Sequence, residues 1–309
     1  MNTRQITELL GGIGIALALL APSVFGQTAQ AERNKRRLIQ TGECQNCDLR
    51  RVDLRGEDLR GTYIQGADLS DADLSQANLR GAHLQQATLT ATRLVGANLQ
   101  GVEFSRATLN NANLTDAFLA DAFLTRAELR EANLTDADLT KARMEEADMS
   151  EAIFDDATFR NAIATNAIFY KASFNRTELT AISAKGADFR FAKLDNTSLQ
   201  RGEFIAATFK RANLTGANLD FADLRQSDLS VANLSGAHLS NVKAEDTNLI
   251  LSDLTNAVAR QTNFSRSDLF NAKVAGIDSA GSDFCDAILP EGTTSSCDQI
   301  RGKEKLTRK

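Results

Sequence analysis

The sequence predicts an all-β fold in which very short strands wind around a dry interior. Three observations carry this. A register of five runs from Leu49 through Leu54, Leu59, Ile64 and Leu69 to Leu289 without insertion or deletion; 40 of its 49 positions are Leu or Phe, and all but Ser279 are apolar. A column of small residues lies two positions earlier, with Ala at 31 of the 49 places (Ala67, Ala72, Ala77). Of the 12 glycines between Gly56 and Gly281, 11 fall two after the central residue, all but Gly202, and residues 48–289 contain no proline.

A period of five fits neither a helix nor a flat strand. A helix would spread the Leu column around its circumference, and a strand would send alternate leucines to opposite faces. The pattern works if two residues two apart point inward, the chain turns, and the move repeats. Glycine after the central residue eases the turn. Proline is excluded because each N–H is needed by a neighbouring coil.

Composition limits the function classes. The chain has 309 residues, 24% charged and 42% hydrophobic, with no Trp, two Tyr and two Pro. That balance suits neither a disordered tail nor a polytopic membrane protein. A net charge of −5 gives no general attraction to nucleic acid, so none is expected as partner. Two His and four Cys are too sparse for an elaborate metal site, and no metal or cofactor is expected.

The elements follow in order. Residues 1–31 read as an export signal: Arg4, an uncharged stretch from Leu9 to Gly26, then the small-x-small Ala29-Gln30-Ala31, with cleavage before Glu32. The alternative is a membrane anchor over residues 9–26, about the minimum length for a span. Arg33, Lys35, Arg36 and Arg37 just beyond it favour the anchor, while Pro22 and four glycines weaken it. A membrane contact is expected only if this segment stays uncleaved. Residues 32–47 form an N-terminal cap ending in Cys44-Gln45-Asn46-Cys47, with its basic part over Glu32–Glu43. Residues 48–289 are the repeat body, and 290–309 a C-terminal cap with the turn Pro290-Glu291-Gly292 and a disordered tail at Lys303–Lys309.

Ala67-Asp68-Leu69-Ser70-Asp71, Ala77-Asn78-Leu79-Arg80-Gly81 and Ala217-Asn218-Leu219-Asp220-Phe221 resemble the A-(D/N)-L-x-x unit of pentapeptide repeat proteins, over about 80% of the chain. The resemblance implies a right-handed quadrilateral β-helix with four units per coil and about twelve coils. Such a rod would be on the order of 58 Å long at the strand spacing of a sheet. Residues 20 apart then stack on one side. Phe154, Phe159, Phe169, Phe174 and Phe189 are expected to fill the coils where Ala164 and Ala184 leave room.

The Cys-x-x-Cys could be a redox motif or half a zinc site, but no second CxxC, nearby His or βαβ context accompanies it. Cys285 and Cys297 lie at the far end of the rod, too far to meet the first pair. In an oxidising compartment the pairings are therefore Cys44–Cys47 and Cys285–Cys297. His83 and His238 fall in the outward column as surface residues. Apolar residues in outward columns, Phe118, Phe123, Ile153, Ile163, Ile168 and Tyr170, with Ile250, Leu251 and Phe270 later, mark a possible partner surface, weighed evenly against simple tolerance by a regular scaffold.

No nucleophile–base constellation, phosphate loop or metal cluster points to an enzyme. The expected function is a non-catalytic exported scaffold with a protein partner. The resemblance to exported cyanobacterial members implies the periplasm or the thylakoid lumen. Some family members that protect DNA gyrase from quinolones are acidic rods mimicking duplex DNA. Here residues 48–289 hold 34 acidic and 25 basic residues, a modest −9, so mimicry is the weaker alternative.

Overall fold

Every fifth residue turns the chain through a quarter of a coil, and the parallel bridges join residues 20 apart, Asp48 to Asp68, Asp53 to Asp73, Asp58 to Asn78, Tyr63 to His83 and onward. The result is a right-handed quadrilateral β-helix. The computed structural model describes residues 29–297. Most of the expected leader, the anchor alternative at 9–26 and the tail at Lys303–Lys309 lie outside the described residues. Sides 1 to 4 are numbered here from their first central residues, Leu49, Leu54, Leu59 and Ile64.

The repeat is legible in its hydrogen bonds. The central N–H donates to the next coil (Leu49 N to Asp68 O, 2.7 Å), and the outward N–H donates to the previous one (Asp68 N to Cys47 O, 2.9 Å). The small inward residue closes the turn (Ala72 N to Leu69 O, 3.0 Å). The N–H just after the central residue has no such backbone partner. The outward Asp or Asn accepts it instead, as in Ser70 N to Asp68 Oδ1 (3.0 Å) and Thr115 N to Asn113 Oδ1 (3.1 Å). This side-chain turn explains why that column is rich in Asp and Asn.

Both inward columns are buried along the rod. Four threonines of the small column donate their hydroxyls to a main-chain carbonyl of the previous coil, Thr92 to Leu69, Thr177 to Phe154, Thr197 to Phe174 and Thr247 to Leu224, at 2.7–2.9 Å, and Thr62 donates to Leu59 O within its own coil. A buried polar group is thereby satisfied. The phenylalanines stack as a ladder, Phe154 on Phe174 (5.0 Å between centroids) and Phe169 on Phe189 (4.9 Å), beside the fully buried Ala164 and Ala184. Gly202, the exception among the glycines, lies in the small column; a Cβ there would come 2.7 Å from Phe204 Cζ. It makes room for that ring.

Both open ends are covered, which blunts the exposed strand edges. Helix α1, residues 29–41, lies over the first coil with Ala31 and Leu38 buried. Gly42 in the left-handed region ends it, its N–H donating to Leu38 O at 2.8 Å. Asn34 Nδ2 donates to Asp48 O at 2.8 Å. The first turn of α1 thus includes Ala29, Gln30 and Ala31, which the sequence reading gives to the leader. At the other end the chain turns after Leu289 and folds back, with Ile288 bridging Thr294 antiparallel and Ser295 N donating to Ala287 O at 2.9 Å. Among the described residues no helix is long and apolar enough to cross a membrane.

Candidate interaction surface

Three kinds of residue reach solvent: the outward residue of each side and the two corner residues after the central one. The corner residue two after the centre has φ near +60° almost throughout, so Gly, Asn and Asp suit it best.

Charges pair along this surface. Within a unit, Arg55 binds Asp53 (2.7 Å) and Arg60 binds Asp58 (2.6 Å). Between coils, Arg126 binds Glu146 (2.7 Å) and Arg176 binds Asp156. The guanidinium hydrogen bond of Arg55 holds the Asp53 carboxyl well below the usual range, and Arg60, Arg126 and Arg176 lower Asp58, Glu146 and Asp156 in the same way. Asp148 shows a contest: burial pushes its pKa up, but bonds from Ser150 and Arg130 prevail and lower it. These are exposed pairs, each worth little alone.

The six sequence-selected apolar residues spread over the rod. Phe118 is on side 3, Phe123 and Ile163 on side 4, Ile153 on side 2, Ile168 on side 1, and Tyr170 at the corner between sides 1 and 2. Phe118, the most exposed at 56%, has Asn98 and Asp138 as its bridge partners. Phe123 and Ile163 flank Arg143, and Ile168 lies between Asp148 and Asp188. Only Ile168 and Tyr170 share a strand, with Ile153 on the adjoining side. Sequence reasoning missed Phe191, Phe221 and Val231, all exposed corner residues. Their signal was an apolar residue in the column two after Leu.

The four cysteines form two pairs. Cys44 and Cys47 are bonded, with Cα atoms 5.3 Å apart, beside Asn34 of α1. Cys285 and Cys297 are bonded, with Cα atoms 4.5 Å apart, and hold the folded-back end. Cys285, Asp286 and Cys297 form a close group of metal-type ligand atoms, but both sulfurs are engaged with each other. Tyr63 stacks on His83 at 4.6 Å on side 4. Two shallow hollows lie at the corner between sides 4 and 1. One, about 320 Å³, is lined by Ile205, Arg225, Gln226, Glu245, Asp246 and Arg266. The other, about 410 Å³, is lined by Gln85, Gln86, Ser105, Arg106, Thr125 and Arg126.

Family models match most of the coil: a pentapeptide repeat region over residues 62–134, pentapeptide repeats (9 copies) over 129–180, and pentapeptide repeats (8 copies) over 192–230 and 232–269. The chain belongs to the pentapeptide repeat family. Similar solved structures include HetL, a pentapeptide repeat protein involved in heterocyst differentiation regulation from the cyanobacterium Nostoc sp. strain PCC 7120. It is 27% identical, with TM-score 0.42, over 84% of this chain and 97% of HetL. A pentapeptide repeat protein from the Arabidopsis thaliana thylakoid lumen is 22% identical, with TM-score 0.27, over 38% of this chain and 74% of its own. A trypsin-treated form of QnrB1, a plasmid-mediated fluoroquinolone resistance protein, is 20% identical, with TM-score 0.27, over 68% and 90%. No curated protein matches the chain significantly.

Proposed function

We propose that this pentapeptide repeat protein is a non-catalytic scaffold that presents ladders of side chains to a protein partner in an exported compartment, the periplasm or the thylakoid lumen. The observation that carries the reading is the lateral surface: outward residues repeat at one coil spacing along four sides, and the two corner hollows are shallow. An enzyme site needs a concave pocket with nucleophile, base and charge-stabilising groups converging. Neither hollow brings such groups together. The leader pattern of residues 1–31 and the two cystines support export, since disulfides persist in oxidising compartments.

Mimicry of duplex DNA is the alternative. Arg and Lys interrupt the carboxylates along the sides and pair with them, which weakens any continuous negative field. Crosslinking and pull-down of the protein from its own cell envelope tests the scaffold reading. One stoichiometric protein partner is the expected result. Recovery of a topoisomerase would transfer the assignment to mimicry, and a protein found wholly in the cytosolic fraction would remove export.

A further inference from the structure

One corner of the rod breaks the rule of its own backbone. Phe191, Val231 and Leu251 take φ of 61°, 62° and 60° at the corner between sides 1 and 2. A bulky or β-branched side chain is strained in that region, where Gly, Asn or Asp would be comfortable. Tyr170, Ile250 and Phe270 occupy the preceding position on the same corner. The main chain stitches these coils together in order: Lys171 N to Arg190 O, Phe191 N to Lys210 O, Arg211 N to Ser230 O, Val231 N to Ile250 O and Leu251 N to Phe270 O, at 2.9–3.2 Å. Leu251 is 54% exposed, and Phe191, Val231 and Phe270 are 40–43% exposed. Exposed apolar side chains at left-handed positions therefore line up along one continuous ridge; the coil requires the left-handed turn at each corner but not these side chains in it.

The ridge is also segregated by charge. Its first part interleaves cations and rings: Lys171 Nζ is 5.2 Å and the Arg190 guanidinium 5.8 Å from the Tyr170 ring centroid, and Arg211 is 5.5 Å from that of Phe191. Its second part, from Ser230 to Asn271, carries no charge at the corner positions. No carboxylate occupies the corner between sides 1 and 2 from Tyr170 to Asn271, although the body as a whole has 34 acidic residues against 25 basic. The corner between sides 4 and 1 in the same coils carries Glu245, Asp246 and Asp286. Lys210 and Arg211 have no ion-pair partner among the described residues.

We propose that this corner is a membrane-docking edge, which lies along a bilayer surface containing anionic lipid. A convex corner cannot enclose a small ligand, whereas a deformable lipid interface conforms to it. Val231, Leu251 and Phe270 enter the headgroup region, and Lys210 and Arg211 meet lipid phosphates, while Lys171 and Arg190 are already held by Glu151 and Asp188. Charge and apolar character together select the edge: it is the one corner along which cations run beside several large apolar side chains, where the corner between sides 3 and 4 offers Phe221 alone and the corner between sides 4 and 1 Ile205 alone. This contact is separate from any made by residues 9–26, and it turns the corner between sides 3 and 4 away from the bilayer.

The chain has no Trp, so Leu251→Trp installs a single fluorescent reporter on the ridge. Phe221→Trp installs one at the diagonally opposite corner, where φ is 63° and exposure 57%. Full-length protein is mixed with phosphatidylcholine vesicles containing phosphatidylglycerol, with brominated acyl chains as quencher. The Leu251→Trp emission shifts to the blue and is quenched, while the Phe221→Trp emission stays unchanged. Lys210→Gln with Arg211→Gln in the Leu251→Trp background weakens vesicle partition about 30-fold, from about 1 kcal/mol per cation. Val231→Asn, which suits the left-handed corner, keeps the thermal midpoint or raises it and still lowers partition. An unshifted Leu251→Trp emission overturns the proposal, as does an equal response at both corners, the result expected if only the N-terminal segment tethers the protein. A shift that appears with a protein fraction and not with vesicles assigns the ridge to a protein partner instead.

Discussion

The carboxamide oxygen of Asn196 lies 2.8 Å from the point where a Cβ on Gly216 would sit, one coil further along the same corner. Asn46 over Gly66, Asn166 over Gly186 and Asn256 over Gly276 repeat the arrangement. Gly236, which follows Gly216 on that corner, has open space where its Cβ would be. Gly216→Ala should therefore cost more than Gly236→Ala. Both carry the left-handed penalty of roughly 1–2 kcal/mol, but only the first must also displace a side chain. Adding Asn196→Ala should remove the excess, and chemical denaturation of the four variants checks it.

Gly202 and Phe204 form a second such pair inside the rod. A Cβ at residue 202 would meet the Phe204 ring and lie 3.1 Å from Leu199 O. Gly202→Ala should destabilise by about 1–3 kcal/mol, the usual cost of overpacking. Phe204→Leu should make the same alanine tolerable. A Gly202→Ala protein of wild-type thermal midpoint would contradict the packing.

Ala164 shares its part of the interior with Phe154, Phe159, Phe169 and Phe174. Ala164→Phe adds a ring where the rings already touch, and the thermal midpoint should fall. The expected outcome is a cooperative but less stable rod, measured by circular dichroism on heating.

Acid should weaken the protein late. Asp53, Asp58, Glu146 and Asp156 have folded pKa values below their ordinary ones because Arg55, Arg60, Arg126 and Arg176 hold their charged forms. A depressed carboxylate contributes its full stability above its unfolded pKa, near about pH 4. That contribution disappears as pH falls through the lower folded value. Thermal midpoints should be level from neutral pH down to that region and drop below it. Asp156→Asn should flatten the acid limb slightly, and high salt should do the same. A decline beginning at neutral pH would assign stability to other groups.

The interior was legible because one physical requirement, a dry column every fifth residue, writes itself 49 times from Leu49 to Leu289. The N-terminal cap was less so. Its helix, 29–41, shows only Ala31 and Leu38 as buried apolar contacts, too few to reveal a helical period, and its first turn overlaps a leader-like motif. The surface was misleading in a specific way. Phe118 and Phe123 are five apart in sequence, and that step turns the chain from side 3 to side 4. Neighbours on the surface are 20 apart, so the ridge through Phe191, Val231 and Leu251 is visible only when the sequence is read at that stride. A second obstacle was their column, which elsewhere holds mostly Gly, Asn, Asp and polar or charged residues and so gives no apolar period.

The 20-residue stride separates how long the rod is from what it displays. Removing one whole coil from the Leu-rich N-terminal half would shorten the molecule and leave each side aligned with itself. Removing a single unit would keep leucine on leucine inside, yet would rotate all later coils by a quarter turn relative to the earlier ones. Gain or loss in fives thus acts as a rotary adjustment of one half of the exterior against the other, to which the interior is nearly indifferent.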